Sequence, residues 1–273
     1  MIDIHSHILP AIDDGSRDLD MTLAMLRMSV ESGVTDIIAT PHVNRGGHVP
    51  SWQEIEEKTA QVAEAAKGSQ LPIHIYSGAE IELNGDVLRF LKEGSRDYCL
   101  AGSPYILLEL TDQSQLDMAE RLIYELQLRG FWPILAHVER YGQLMSHPDI
   151  LISWAKKGIL LQCNIGSFTG YFGQHLQRHV ENLYQNHLVH FLGSDGHRTE
   201  FRTTDMREGQ DALRNLQQKQ HNQQDLWLET TQNASRILNH RVLYPDVPEH
   251  WQVKKKGLWH RLMTDDFGLL AYI

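Results

Sequence analysis

Nine side chains able to hold a divalent cation recur in short motifs along the 273-residue chain: His5 and His7 in HSH, Asp14 in DDG, His42 in ATPH, Glu80 in SGAE, Glu109 in LLEL, His137 in HVER, and Asp195 and His197 in SDGH. Imidazole and carboxylate without thiolate suit manganese, iron, zinc, magnesium or cobalt, and the mix does not choose among them. These nine groups exceed the roughly four to six ligands of one ion, so about two or three ions with a bridging carboxylate such as Glu80 form the economical arrangement. Within HSH the histidines are two positions apart, so on an extended strand both imidazoles point to one side and can share an ion. The DDG turn carries Asp13 and Asp14, and Gly15 lets the backbone bend so that a carboxylate folds back over the histidines; Asp14 is the expected ligand.

Such a centre activates water for hydrolysis. Arg140 lies three residues after His137 and Arg202 five after His197, with Arg198 competing for the second position. A guanidinium fork matches two oxygens of a phosphoryl group, which points to phosphate esters as substrates. The alternative for these arginines is a loop salt bridge, to Glu139 or Asp205.

The two cysteines do not offer a rival chemistry. A phosphatase cysteine needs an arginine about six positions on to hold the phosphate, but Tyr105 follows Cys99 at that spacing and Thr169 follows Cys163. Two thiols in a chain long enough to need no disulfide favour a reducing compartment. The formal net charge of −10 argues against nucleic acid and acidic membrane as partners. No stretch approaches the ~20 apolar residues of a membrane span, and the N-terminus lacks a basic-then-apolar leader, so a cytoplasmic protein without a membrane span is expected.

The elements that must position these residues follow from periodicity. Seven short apolar, β-branched runs (1–4, 36–40, 73–77, 105–110, 133–136, 160–164 and 189–192) alternate with amphipathic segments. Repeated βα units imply a parallel sheet, either doubly wound or closed into a barrel. Leu19, Leu23, Leu26 and Val30 trace one helix face between Asp18 as N-cap and Gly33 as stop. Ala119, Leu122, Ile123 and Leu126 trace another, with Ser114 and Asp117 as a capping box and Gly130 as stop. Six of the seven strands end at or near a ligand, and in a β/α barrel all strand C-termini meet on one face. The rhythm stops near Pro245, so 1–244 is expected as one β/α domain and 245–273, with its KKKGLWHRL stretch, as an appendage.

The motifs HSH, TPH, GAE, HVER and SDGH resemble the PHP (polymerase and histidinol phosphatase) superfamily of metal-dependent phosphoesterases. MIDIHSHILPAIDDGS, ATPHVNRG and LLQCNIGSFTGYFG further resemble the tyrosine-protein phosphatases of bacterial capsule and exopolysaccharide operons, over roughly residues 1–240. That resemblance implies an α/β fold built as a distorted seven-stranded parallel β/α barrel, TIM-like and PHP-type. It also implies a cluster of divalent ions that usually includes manganese, and hydrolysis of phosphotyrosine on the tail of a bacterial tyrosine kinase. The nine ligands match the family motif position by position, Arg140 matches its phosphate-binding arginine, and Arg202 is placed as the second, although the loop after His197 departs from the SDAHN form. A small-molecule phosphatase, such as one for histidinol phosphate, and a non-catalytic, metal-stabilised docking partner of the kinase are the alternatives. An amidohydrolase also starts with HxH but expects an eighth strand carrying an aspartate, whereas this chain shows seven strands and SDxH.

Overall fold

The computed structural model describes residues 1–111, 113–220 and 225–251. Its elements run β1 (Ile2–Ser6), α1 (Leu19–Glu31), β2 (Asp36–Ala39), β3 (His42–Val43), α2 (Trp52–Gly68), β4 (His74–Ser77), β5 (Glu80–Glu82), α3 (Val87–Phe90), β6 (Tyr105–Glu109), α4 (Leu116–Leu128), β7 (Trp132–Leu135), α5 (Gly142–Ser146), α6 (Pro148–Lys156), β8 (Leu160–Asn164), α7 (Gln174–Gln185), β9 (Phe191–Gly193), α8 (Arg207–Gln220) and α9 (Leu226–Leu238). Every strand pair is parallel, in the orders β1-β2-β4 and β3-β5-β6-β7-β8-β9. The chain is thus an α/β protein whose parallel strands curl into a half-barrel.

The second and third expected strands each divide in two. Pro41 has no N–H to donate, so it separates β2 from β3 while its carbonyl accepts from Glu80 N at 3.0 Å. As a result His42 and Glu80 stand on the short strands β3 and β5 and pair with each other in register, instead of following a strand. On the far side β1 meets the end of β9 through a Ser6–Gly196 bridge, with Asp195 N donating to His5 O at 2.8 Å and His7 N to Gly196 O at 2.9 Å.

Alternation along the strands sorts the apolar residues into two layers. Ile4, Ile38, Leu107, Ile134, Leu160 and Phe191 form one buried cluster, closed by Ala234 and Ile237 of α9. Ile37, Ile81, Ile106, Leu108, Leu135, Leu161 and Leu192 face the helices in the other. Each such buried side chain contributes roughly 1.5–3 kcal/mol of transfer free energy. On β6 and β8 the same parity that buries Leu107 and Leu160 carries Glu109, Gln162 and Asn164 toward the strand ends.

Helix α1 is capped as expected, Asp18 Oδ1 accepting from Met21 N at 2.8 Å. Its buried face differs from the expected one: Thr22, Met25, Leu26 and Ser29 are buried, while Leu19, Leu23 and Val30 are only partly covered. The helix is rotated because Thr22 Oγ1 donates to Ile8 O at 2.7 Å, a tertiary bond that hydrophobic periodicity cannot register. Helix α4 buries the expected Ala119, Leu122, Ile123 and Leu126, but the Ser114–Asp117 capping box does not form. Gln115 is the N-cap, without a side-chain bond, because Ser114 Oγ is taken by Thr111 N at 2.9 Å.

Of the expected appendage, 245–251 is described: Val247 and Trp251 pack against the core and Lys156 Nζ donates to Glu249 O at 3.4 Å. KKKGLWHRL, 254–262, lies outside the described residues. Among the described residues, no helix is long and apolar enough to cross a membrane.

One core histidine makes folding pH-dependent. His190 is buried, accepts Leu161 N at Nδ1 (2.9 Å), and burial lowers its pKa to about 4. The unfolded chain therefore takes up a proton below about pH 6.5 that the folded chain refuses until about pH 4. This stabilisation is complete above pH 6.5 and is lost as pH falls through that window. Urea unfolding at pH 7 and pH 5 is expected to show a larger loss of stability in the wild type than in His190→Asn; equal losses would contradict it.

Candidate metal and phosphate site

The strand ends bring all nine expected ligands together. Glu80, fully buried, lies at the centre: its carboxylate approaches His137 Nε2 at 2.8 Å, His42 Nδ1 at 2.9 Å, and His5 and His7 Nε2 at 3.3 Å each. Asp195 Oδ1 stands 3.5 Å from His7 Nε2 and 3.7 Å from His5 Nε2. Glu109 reaches His42 and His137, both at 3.6 Å. Asp14 closes the other side, 3.3 Å from His42 Nε2 and 3.4 Å from His197 Nε2.

The donor atoms converge in overlapping sets, His7–Asp14–His42–His197, His5–His7–Glu80 and His42–Glu80–Glu109, each of which could hold an ion. The ring tautomers fit that use. His5 Nδ1 donates to Gln162 Oε1 (3.1 Å), His7 Nδ1 to Asp13 Oδ2 (2.7 Å) and His197 Nδ1 to Asp195 O (2.9 Å), so the Nε2 lone pair of each faces the cluster. His137 Nδ1 and His197 Nε2 are buried without a hydrogen-bond partner, and His42 Nδ1 and Glu80 Oε2 approach each other at 2.9 Å without hydrogen-bond geometry. Unsatisfied polar atoms of this kind are costly in a protein interior and are expected where a cation is to be held.

Local backbone aims these groups. His137 (φ +32°), Asp195 (φ +52°) and Arg202 (φ +50°) all occupy the left-handed region, which side-chain-bearing residues seldom adopt and which is concentrated at functional sites. Gly15 serves close approach: a Cβ there would lie 2.2 Å from His7 O, so only glycine lets the DDG turn rest on the first strand's end. Gly193 does the same beneath His5, whose Cβ would lie 2.6 Å from an added one.

Electrostatics follow from burial set against charge. Burial opposes ionisation of Glu80, but His5, His137 and His42 outweigh it and hold the carboxyl well below its usual range. Burial likewise opposes Asp195, and His5, His7 and Arg202 reverse it. Glu109 is raised by burial and by the neighbouring Glu80 charge. Burial and His7 work against protonation of His42, yet Asp14 and Glu80 raise it to about 9. His197 is lowered to about 4, by burial first and then by His7. The neighbouring His197 and His42 rings, 3.4 and 3.3 Å away, hold Asp14 ionised.

The arginines form the rim. Arg140 Nη1 lies 3.3 Å from Asp195 Oδ2 and Arg202 Nη2 2.5 Å from Asp195 Oδ1, so both guanidiniums converge on one carboxylate. Arg198 does not join them, its Nη1 being spent on the carbonyls of Gly15 and His197. The alternative for Arg140 and Arg202, a salt bridge to Glu139 or Asp205, is not what forms: both pair with Asp195. Glu139 instead accepts from Asn164 N (3.0 Å) and Ser167 Oγ (2.8 Å), and Asp205 pairs with Arg207. The thiols play no part: both are buried, which pushes Cys99 up to about 12 and Cys163 far above its ordinary value.

Four contributors escape the motif reading. Asp13, passed over for Asp14, orients His7 and accepts His42 N at 3.0 Å; burial opposes its ionisation, but His7 brings it down to about 2. Arg45 contacts His42 Nε2 and lies 3.3 Å from Asp14; its place three after a ligand histidine, like that of Arg140, was the available signal. Gln162 accepts from His5 Nδ1 and from His137 N (2.9 Å) and donates to Asn164 Oδ1 (3.0 Å), and Asn164 Nδ2 donates to Asp195 Oδ2 (2.8 Å). This buried amide pair ties together two of the converging side chains, His5 and Asp195, and the backbone of a third, His137. Gln162→Leu is therefore expected to weaken manganese binding by roughly 10–100-fold with folding retained, measured by calorimetric titration of the chelated protein. Unchanged affinity would refute the linkage.

The chain is similar to known proteins over most of its length. A family model described as capsular polysaccharide synthesis, CpsB/CapC, matches residues 1–239. The chain is 33% identical over 259 residues to the tyrosine-protein phosphatase YwqE of Bacillus subtilis (strain 168), covering 95% of this chain and 99% of that one. It is 29% identical over 218 residues to the tyrosine-protein phosphatase CpsB of Streptococcus pneumoniae, covering 78% and 89%. Among solved structures it superposes with a TM-score of 0.81, at 32% identity and covering 92% of this chain and 100% of the other, on one from a study of YwqE and CpsB described as metal-dependent tyrosine phosphatases.

Proposed function

Because the chain belongs to the capsular polysaccharide synthesis CpsB/CapC family, we propose that it is a metal-dependent protein-tyrosine phosphatase of capsule or exopolysaccharide synthesis. The observation that carries this reading is the buried imidazole–carboxylate cluster, with polar atoms left unsatisfied, beneath a rim of arginines anchored on Asp195.

In this reading His5, His7, Asp14, His42, Glu80, Glu109, His137, Asp195 and His197 would hold two or three divalent ions around Glu80, which lies within 3.3 Å of four of the imidazoles. When bound, such ions supply Lewis acidity and a water of lowered pKa. Arg140 and Arg202 grip the phosphoryl oxygens and stabilise charge developing during transfer. Asp195 fixes both guanidiniums, so little reorganisation is required when substrate arrives. A tyrosine leaving group, with a pKa of about 10, needs no protonated side chain to depart.

Four carboxylates beside five imidazoles accommodate manganese, the ion that the family resemblance implies. The rim is accessible, with the side chains of Asp14 53% and Arg140 44% exposed, which suits a phosphotyrosine carried on the extended tail of a bacterial tyrosine kinase. Two unpaired, buried thiols are in keeping with work in the cytoplasm. We read the curled sheet as a distorted seven-stranded PHP-type barrel, with β2–β3 and β4–β5 as interrupted single strands and the Ser6–Gly196 bridge as the seam, spanning 1–244 and followed by a 245–273 extension.

The test is phosphate release from a tyrosine-phosphorylated peptide, the serine-phosphorylated equivalent and histidinol phosphate, using chelated protein reloaded with manganese. Restored activity selective for phosphotyrosine, abolished by His137→Ala, is expected. Preference for histidinol phosphate would move the protein to a small-molecule phosphatase, and silence on all three would favour a docking role.

A further inference from the structure

Beside Arg202 stand three aromatic rings that neither the core nor the metal cluster uses. Tyr171 and Phe201 are 62% and 52% exposed, an unusual degree for large rings on a protein surface. With Phe172 they make a triangle, ring centroids 5.3 Å (Tyr171–Phe172), 5.7 Å (Tyr171–Phe201) and 6.0 Å (Phe172–Phe201) apart. The triangle is built from two separate loops. Phe172 is seated over Gly166, where an added Cβ would meet the ring at 2.9 Å, and Phe201 is the chain neighbour of Arg202. The Phe201 loop is closed by His197 N donating to Arg202 O at 2.6 Å, so the ring and the guanidinium hold a fixed relation.

A cavity of about 400 Å³ opens beside these groups, with Ile165, Tyr171, Phe172, Ser194 and Arg202 among its walls; Phe201 does not line it but packs on Tyr171 and Phe172. Its walls also carry Glu200 and Glu208, which disfavour a phosphate there, while its other arginine, Arg207, is paired with Asp205, and this leaves the phosphate to Arg202. An aryl phosphate divides in the same way, into a dianionic end and an apolar ring. We infer that Tyr171, Phe172 and Phe201 form a subsite that takes the aromatic ring of the substrate's leaving group while Arg202 holds its phosphate. This rests on the phosphatase reading and deepens it: the exposed rings select aryl over alkyl phosphomonoesters by aromatic contact with the leaving group.

Steady-state kinetics on manganese-loaded protein separate the alternatives. In Phe201→Ala and Tyr171→Ala, kcat/KM for a tyrosine-phosphorylated peptide is expected to fall about tenfold each. Inhibition by inorganic phosphate and metal content per chain should stay within about twofold of wild type, and Phe201→Tyr should restore turnover. Undiminished kcat/KM in both alanine variants of an enzyme that does hydrolyse the peptide would overturn the subsite and leave the phosphatase intact. A parallel loss of phosphate inhibition would also overturn it, by showing that the rings only support Arg202. Absence of peptide hydrolysis by the wild type would remove the phosphatase reading itself, and the subsite with it.

Discussion

Glu80→Gln is expected to lower kcat/KM for a phosphotyrosine peptide by about a thousandfold or more and to reduce the manganese bound per chain. The reason is position. Glu80 is the one carboxylate within 3.3 Å of four imidazoles, those of His5, His7, His42 and His137, and it is fully buried. The amide keeps the shape but removes the charge that offsets a pair of cations, and one of its two termini becomes a donor. Losing a single preorganised charge-stabilising group already costs on the order of 10²–10³ in rate, and losing a bridging ligand removes more than one such group. Metal content by plasma emission, measured alongside turnover, makes the claim specific. A Glu80→Gln protein with wild-type metal and wild-type turnover would remove Glu80 from the centre.

The second large effect separates gripping substrate from holding metal. Arg140→Ala and Arg202→Ala should each reduce kcat on the same peptide by roughly 10²–10³, the scale of one transition-state donor, with manganese content unchanged. Since both guanidiniums contact Asp195, the double variant should lose less than the product of the single losses. Arg198→Ala is the control: its guanidinium is bonded to the carbonyls of Gly15 and His197 instead of to Asp195, so turnover should stay near wild type. If Arg198→Ala were the damaging change and Arg202→Ala silent, the second phosphate-binding residue would have been assigned wrongly.

Much of the site is legible in the sequence because strand ends converge by topology. Once βα units alternate, histidines and acids that close successive strands must meet, whatever separates them along the chain. The same periodicity found the buried face of α4. It misplaced the face of α1, where the Thr22–Ile8 bond decides the rotation, and it missed β3 and β5, which at two and three residues are too short for any alternation to show. The Ser114–Asp117 capping box failed for a related reason: the motif was present, but a competing donor, Thr111 N, lay within reach.

Residue types and their placement near strand ends were therefore legible in sequence alone, down to the nine convergent side chains and the exclusion of cysteine chemistry, whereas the pairing of His42 with Glu80 on β3 and β5 was not. Tertiary structure alone decided direction. It chose which face of each imidazole turns inward, through Gln162, Asp13 and the Asp195 carbonyl. It separated Asp13 from its neighbour Asp14, and Arg202 from Arg198. Those choices rest on left-handed backbone at His137, Asp195 and Arg202 and on hydrogen bonds between residues up to 183 positions apart. A side chain's aim is set by φ, ψ and distant partners together, and neither is encoded in the spacing of a local motif.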